Sequence, residues 1–176
     1  GRTGRKGAKS GRVRATGKYF ALGSRILEGI AVEAIPADIQ AHLNTPTDIL
    51  HKQLSSSDTH ERGLALAVLA IRIARDLTLK PILFRERSAH TGQGEVDLIA
   101  EGLHLHFSRW LFQCKNTTSS VSLSALAKEV GMATLLKAHV IVMVTTSRFA
   151  QTVIEYANEL GKNTPLQVIL VDGDLL

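Results

Sequence analysis

The chain has 176 residues, 44% of them apolar, enough to build one hydrophobic core plus an appendage and too many for a wholly disordered chain. Its longest unbroken apolar run, Leu64 to Ile71, is eight residues, which excludes a transmembrane helix; its single cysteine, Cys114, excludes an internal disulfide framework and a multi-cysteine zinc cluster and suits a reducing cytoplasm. The net charge of +5 sits in one place: residues 1–25 hold eight basic residues and no acid, leaving 13 basic against 16 acidic residues for the remainder.

Residues 1–18 read as a flexible basic tail. Arg2, Arg5, Lys6, Lys9, Arg12 and Arg14 lie among glycines without apolar anchors, so this stretch cannot bury enough surface to order itself. Such a tail suits sequence-independent attraction to DNA phosphates. A solubilising linker is an equal reading. A transit peptide is a third, opposed by the dense glycines. The chain begins with Gly1 rather than Met, as expected of a piece of a longer protein.

Residues 19–57 read as an N-terminal extension or strap. Short apolar stretches around Tyr19 and Ile30 are broken by Gly23 and Gly29. Ala37 to Leu43 and Thr47 to Leu54 are short helical stretches separated by Pro46. Leu54 to Asp58 is a polar break.

The signals sharpen from residue 58 onward, so 58–176 is read as the main domain. Asp58 and Glu61 have the spacing of a helix N-cap and its N3 partner. The helix then runs to about Leu77, apolar nearly all round and hence buried. Lys80 to Arg87 reads as a strand and Ala89 to Gly94 as a turn. Glu95 to Ala100 alternates with period two, a strand with one polar face, and Leu103 to Phe107 extends it or bulges. Arg109 to Lys115 is a third strand, with Phe112 and Cys114 on one face and Gln113 and Lys115 on the other. Ser122 to Ala138 is a helix, His139 to Thr145 a strand covered on both faces, Ser147 to Leu160 a helix ended by Gly161, and Leu166 to Val171 a last strand. The order is αβββαβαβ, an α/β class with a mixed central sheet flanked by helices.

One patch of this pattern carries chemistry. Glu95 and Asp97 share a strand face at about 7 Å, and Gln113 and Lys115 share a face of the next strand. If the two strands are neighbours, two carboxylates, an amide oxygen and an ammonium converge. Oxygen ligands suit a hard divalent ion such as Mg²⁺, which can polarise a phosphate and generate hydroxide. A lysine beside it offsets charge building on phosphorus. On spacing alone, an ordinary surface pair of acid and lysine across two strands explains the pattern better.

Glu95-Val96-Asp97-Leu98-Ile99 followed by Leu111-Phe112-Gln113-Cys114-Lys115 resembles the D…QxK form of the PD-(D/E)xK nuclease signature. In particular it resembles the Mrr-type restriction endonuclease domain, where glutamine replaces the usual acid before x-Lys. The downstream stretches Glu129-Val130-Gly131, Thr145 to Phe149 and Val168 to Gly173 are similar as well. The resemblance covers about residues 58–175 and implies the restriction-endonuclease-like core. It implies an Mg²⁺-dependent (or Mn²⁺-dependent) endodeoxyribonuclease, with Asp97 as the metal-binding acid, Gln113 as the variant third position and Lys115 as the catalytic lysine. It further implies a metal contact from the Cys114 carbonyl. Because Gln113 is neutral, another acid is expected to help. Glu61 is the first candidate, since related families carry a glutamate on the first core helix, and Glu95 the second. The implied role is defence against foreign DNA. A repair or junction-resolving nuclease, or a nuclease-like module that only binds DNA, is the alternative, and a homodimer is compatible with each.

Weaker features surround this set. His104 and His106 alternate but lack a third ligand with suitable spacing. Gly92-Gln93-Gly94 is not a nucleotide loop. Cys114 is expected in the core. Ser147, at a helix start with Thr145 and Thr146, is read either as a phosphate contact or, slightly preferred, as the helix N-cap.

Overall fold

The computed structural model describes residues 35–86, 96–102 and 107–176. The basic tail, most of the strap, Glu95, the Ala89–Gly94 turn, His104 and His106 lie outside the described residues. Among the described residues ten elements follow in order: α1 (Ala37–His42), α2 (Thr47–Leu54), α3 (Thr59–Asp76), β1 (Lys80–Glu86), β2 (Val96–Gly102), β3 (Ser108–Lys115), α4 (Leu123–Leu136), β4 (Val140–Thr145), α5 (Gln151–Asn163) and β5 (Gln167–Val171). From α3 onward this is the expected αβββαβαβ order.

The five strands form one sheet in chain order. β1, β2 and β3 pair antiparallel, whereas β3, β4 and β5 pair parallel through the α4 and α5 crossovers. Pro81, which cannot donate to a ladder, sits where the register slips on the edge strand β1. β4 lies inside the sheet and is buried along its whole length, as its unbroken apolar run requires.

Strand alternation divides the core into two layers. Leu98, Ala100, Phe112, Val142 and Val144 point to the face covered by α3, with Ile39 of α1 and Leu50 of α2 completing that layer. Ile99, Leu111, Ile141 and Met143 point to the other face, with Leu126 and Ala133 of α4 and Val153 and Ala157 of α5. α3 buries eight residues between Ala65 and Ala74, consistent with its nearly continuous apolar surface.

Several local expectations change. The Asp58 carboxylate caps α3 by accepting from the His60 N–H at 2.8 Å. The reciprocal half of the capping box is absent, because the Asp58 N–H donates to Ser56 Oγ at 3.1 Å and leaves Glu61 no role there. The helix expected from Ser147 begins only at Gln151, after Ala150. The residues before it instead bend at Thr146–Ser147 and are tied down where Phe149 bridges Val121. Ser147 is therefore not an N-cap; its hydroxyl donates to the Ser119 carbonyl at 2.8 Å. Nor does Gly161 end α5, which runs on to Asn163 and closes where the Thr164 N–H and hydroxyl both reach the Leu160 carbonyl. A single glycine weakens a helix by about 1 kcal/mol, less than the burial of Val153, Ala157 and Leu160 secures.

Gly173 is the glycine whose place is dictated by contact. Its N–H donates to the Ser147 carbonyl, and a Cβ there would stand 2.6 Å from the Thr146 carbonyl oxygen. That close approach holds the chain after β5 against the residues that follow β4.

Candidate active site

Asp97 opens β2, Gln113 and Lys115 close β3, and Thr145 closes β4. All four have the parity of Ile99, Leu111, Ile141 and Met143, so their side chains stand on the α4–α5 face. The site therefore lies at the carboxyl ends of parallel strands β3 and β4, a place where open α/β sheets commonly bind ligands.

One Asp97 oxygen, Oδ2, accepts two short hydrogen bonds: from Gln113 Nε2 at 2.6 Å and from the Cys114 backbone N–H at 2.6 Å. Both donors come from β3, so the acid is held across the strand pair. The Gln113 amide orientation follows from this contact, because the reverse would set its oxygen against a carboxylate. Gln113 Oε1 then points away, is buried, and has no hydrogen-bond partner. Gln113 itself is 4% exposed. Lys115 is half-buried; its carbonyl accepts from Thr145 Oγ1 at 2.9 Å and the Thr146 N–H at 3.3 Å. Its ammonium has no hydrogen bond or ion pair to a described residue.

The Cys114 side chain falls on the other face, half-buried in the α3 layer with Sγ 4.0 Å from the Leu66 carbonyl, as its parity requires. The Cys114 carbonyl faces Gln113 Nε2 at 3.4 Å, a long contact. Glu61 stands on the first turn of α3, whose body covers the face opposite Asp97, and makes no hydrogen bond or ion pair to a described residue. Thr145, Thr146 and Ser147 do not form a helix N-terminus. Their hydroxyls tie the strand ends together: Thr145 to the Lys115 carbonyl, Thr146 to the Thr117 carbonyl and Ser147 to the Ser119 carbonyl.

The structure adds Glu129, which strand alternation does not bring to the site. Glu129 lies in the middle of α4 and is 0% exposed. Neither carboxylate oxygen has a hydrogen-bond partner. The exposed Lys128 ammonium stands 3.8 Å from Oε1, beyond hydrogen-bond distance. Burial pushes the Glu129 carboxyl above the usual range; the charges of Lys128 and Lys115 pull it back, and that of Asp97 pushes it up further. Glu129 thus stands within electrostatic reach of both Lys115 and Asp97. A readable signal existed: Leu126, Glu129 and Ala133 share the i, i+3, i+7 spacing of one helix face, so an acid stands in an apolar stripe.

A buried carboxyl with no hydrogen bond and only a long ion pair to Lys128 opposes folding, since its desolvation is poorly repaid. Without divalent ions, Glu129→Leu is expected to stabilise the protein by about 1–3 kcal/mol. Because the folded-state carboxyl is raised, its penalty is absent below the unfolded value near 4.5, grows as pH rises toward the folded value, and then levels off. The gap between variant and wild type should therefore widen from acid to neutral pH. Urea unfolding in EDTA at several pH values measures this, and an equally large loss of stability at every pH would contradict it.

The restriction endonuclease family model Mrr_cat matches residues 72–176. The chain belongs to this restriction endonuclease family. Among solved structures it is similar to the DNA modification-dependent restriction endonuclease AspBHI, at 16% identity and a TM-score of 0.51, covering 82% of this chain and 35% of that one. The MspJI restriction endonuclease in complex with a 27-mer oligonucleotide matches at 25% identity and a TM-score of 0.47, covering 81% of this chain and 31% of that one. This chain thus spans about a third of the length of these structures. The likeness to AspBHI agrees with the restriction-endonuclease fold seen in the five-stranded mixed sheet. A search of the curated proteins found no match. No helix among the described residues is long and apolar enough to cross a membrane.

Proposed function

We propose that this chain is a divalent-metal-dependent DNA endonuclease of the defence type, hydrolysing phosphodiester bonds with Asp97, Gln113 and Lys115. The observation that carries the reading is the buried oxygen of Gln113 left without a partner beside the immobilised carboxylate of Asp97, with the Lys115 ammonium on the same face. A buried acceptor of this kind calls for an occupant, and oxygen donors suit Mg²⁺ or Mn²⁺. Asp97 and Gln113 would hold the ion, with the Cys114 carbonyl as a further donor. When bound, it would polarise the scissile phosphate and lower the pKa of water. The chain's own residues do the rest. Gln113 and the Cys114 N–H fix the Asp97 carboxylate before substrate arrives, so no reorganisation is needed at the reacting phosphate. Lys115 places a positive charge where negative charge builds on the phosphate oxygens. The buried Thr145 hydroxyl holds the Lys115 backbone in position.

Supercoiled plasmid incubated with the full chain and increasing Mg²⁺ or Mn²⁺ tests the reading. Metal-dependent nicking that EDTA abolishes is the expected result. Parallel plain, methylated and junction substrates separate a defence enzyme from a junction-resolving one. Metal-independent binding with no cleavage of any of the three would make the domain a DNA-binding module instead.

The basic tail would add sequence-independent contacts. Residues 1–18 hold seven basic residues, and each phosphate interaction removed lowers the log–log salt slope of binding by about 0.9. Deleting them should weaken DNA affinity at low salt and flatten its salt dependence, with nicking at saturating protein retained. A slope unchanged in fluorescence-anisotropy titrations would make the tail a spacer.

A further inference from the structure

We propose that Glu129 supplies the second carboxylate of the metal site, taking from helix α4 the part that the neutral Gln113 cannot play on strand β3. The inference rests on the nuclease reading above and extends it to a residue that reading does not use.

Two acids are needed because charge sets how firmly a hard cation is held. Asp97 alone offers one negative charge, and its neighbour on β3 is an amide. Among the described residues no three His, Cys, Asp or Glu side chains come together, so a site must be assembled from fewer acids and a neutral oxygen. Three buried side-chain oxygens among the described residues lack a hydrogen-bond partner: Gln113 Oε1, Glu129 Oε1 and Glu129 Oε2. They come from residues on one face of the sheet, and Glu129 feels the charges of both Asp97 and Lys115. A helix that needed only packing would place an apolar residue between Leu126 and Ala133. Instead it holds a fully buried carboxylate that no described residue hydrogen-bonds and that only Lys128, at 3.8 Å, pairs with.

The division of labour also accounts for the glutamine. An acid at position 113 could not donate to Asp97 without retaining a proton, whereas the amide donates to Asp97 and keeps one oxygen for the ion. Moving the second charge to α4 separates the two carboxylates while Gln113 braces one of them. Glu61, on the helix covering the other face, is not required for this set.

Manganese binding to the full chain without DNA tests the assignment independently of cleavage. Wild type should bind Mn²⁺, and Asp97→Asn should remove that binding. Glu129→Gln should weaken it at least about tenfold, the scale on which even outer partners of metal ligands act, with unchanged circular dichroism in EDTA. Tb³⁺ luminescence lifetimes in H₂O and D₂O give a second readout: loss of a coordinating carboxylate should add bound water in Glu129→Gln, which a structural role would not do. Should Glu129→Gln not fold, Glu129→Asp, with the charge kept and the reach shortened, is expected to show the same two changes. If Asp97→Asn loses the ion while the Glu129 variants match wild type in affinity and bound water, the Glu129 assignment is wrong and the nuclease reading stands. If wild type binds neither ion, both fall.

Discussion

Asp97→Asn is expected to reduce DNA nicking to background while the protein remains folded. Asparagine removes the negative charge of Asp97 but keeps an oxygen for the Cys114 N–H, now bonded to Asp97 Oδ2 at 2.6 Å. The same oxygen can go on accepting from Gln113 Nε2, so the strand pair stays tied. Asp97→Ala is a poorer test than its strand position suggests. It strips acceptors from the Cys114 N–H and from Gln113 Nε2, and each unsatisfied group costs about 1–3 kcal/mol. In a domain of this size 1 kcal/mol lowers Tm by about 2–4 °C, so reduced activity in the alanine variant would mix chemistry with unfolding. Plasmid nicking at saturating Mg²⁺, with thermal melts of both variants, separates the two. Wild-type nicking by folded Asp97→Asn would remove Asp97 from the chemistry.

Much of this architecture was legible because burial imposes period and length on the sequence. The unbroken Val140–Val144 run is typical of a strand covered on both faces, and the alternation at Gln113 and Lys115 put both side chains on one face. The ends of elements were harder to read. Ser147 and Gly161 carry the composition of a helix start and stop, yet tertiary contacts decide otherwise. Ser147 is held by Ser119 in the chain that precedes α4, and α5 continues past Gly161 on the strength of its buried face. The capping box at Asp58 failed for a local reason, since Ser56 reaches the same N–H from the other side.

The candidate site divides along the same line. Asp97, Gln113 and Lys115 are close in register, so strand alternation alone brings them to one face. Glu129 is 14 residues beyond Lys115 on a different element, and only the packing of α4 on the sheet brings it within reach of their charges. Glu61 had the opposite history: its helix-start position suggested either a cap or a ligand. The structure gives the cap to Asp58 alone, while Thr59 and Arg62 tie the same helix turn to Asn116, the residue after Lys115.

Lys115→Met is expected to lower the rate of cleavage by about 10²–10³-fold, the scale of losing one preorganised charge at a reacting centre, with DNA affinity changed only a few-fold. Methionine keeps much of the length and the apolar stem of lysine, and Lys115 is anchored through its backbone by Thr145 and Thr146, so the strand end should hold its shape. The asymmetry between rate and affinity follows from where the charge acts. In the ground state Lys115 would be one phosphate contact beside those of the basic tail, and a single contact contributes little to binding. In the transition state charge accumulates on the phosphate oxygens beside it, and only interactions that strengthen there raise the rate. A second effect works through Glu129, whose carboxyl Lys115 helps to keep ionised. Without Lys115 that carboxyl should hold its proton to higher pH, so the pH at which the remaining activity levels off should lie above that of wild type. Single-turnover cleavage across pH, with anisotropy titrations in Ca²⁺ for affinity, measures both. Equal losses in rate and affinity would make Lys115 a DNA-binding residue, and wild-type cleavage would make it a surface charge.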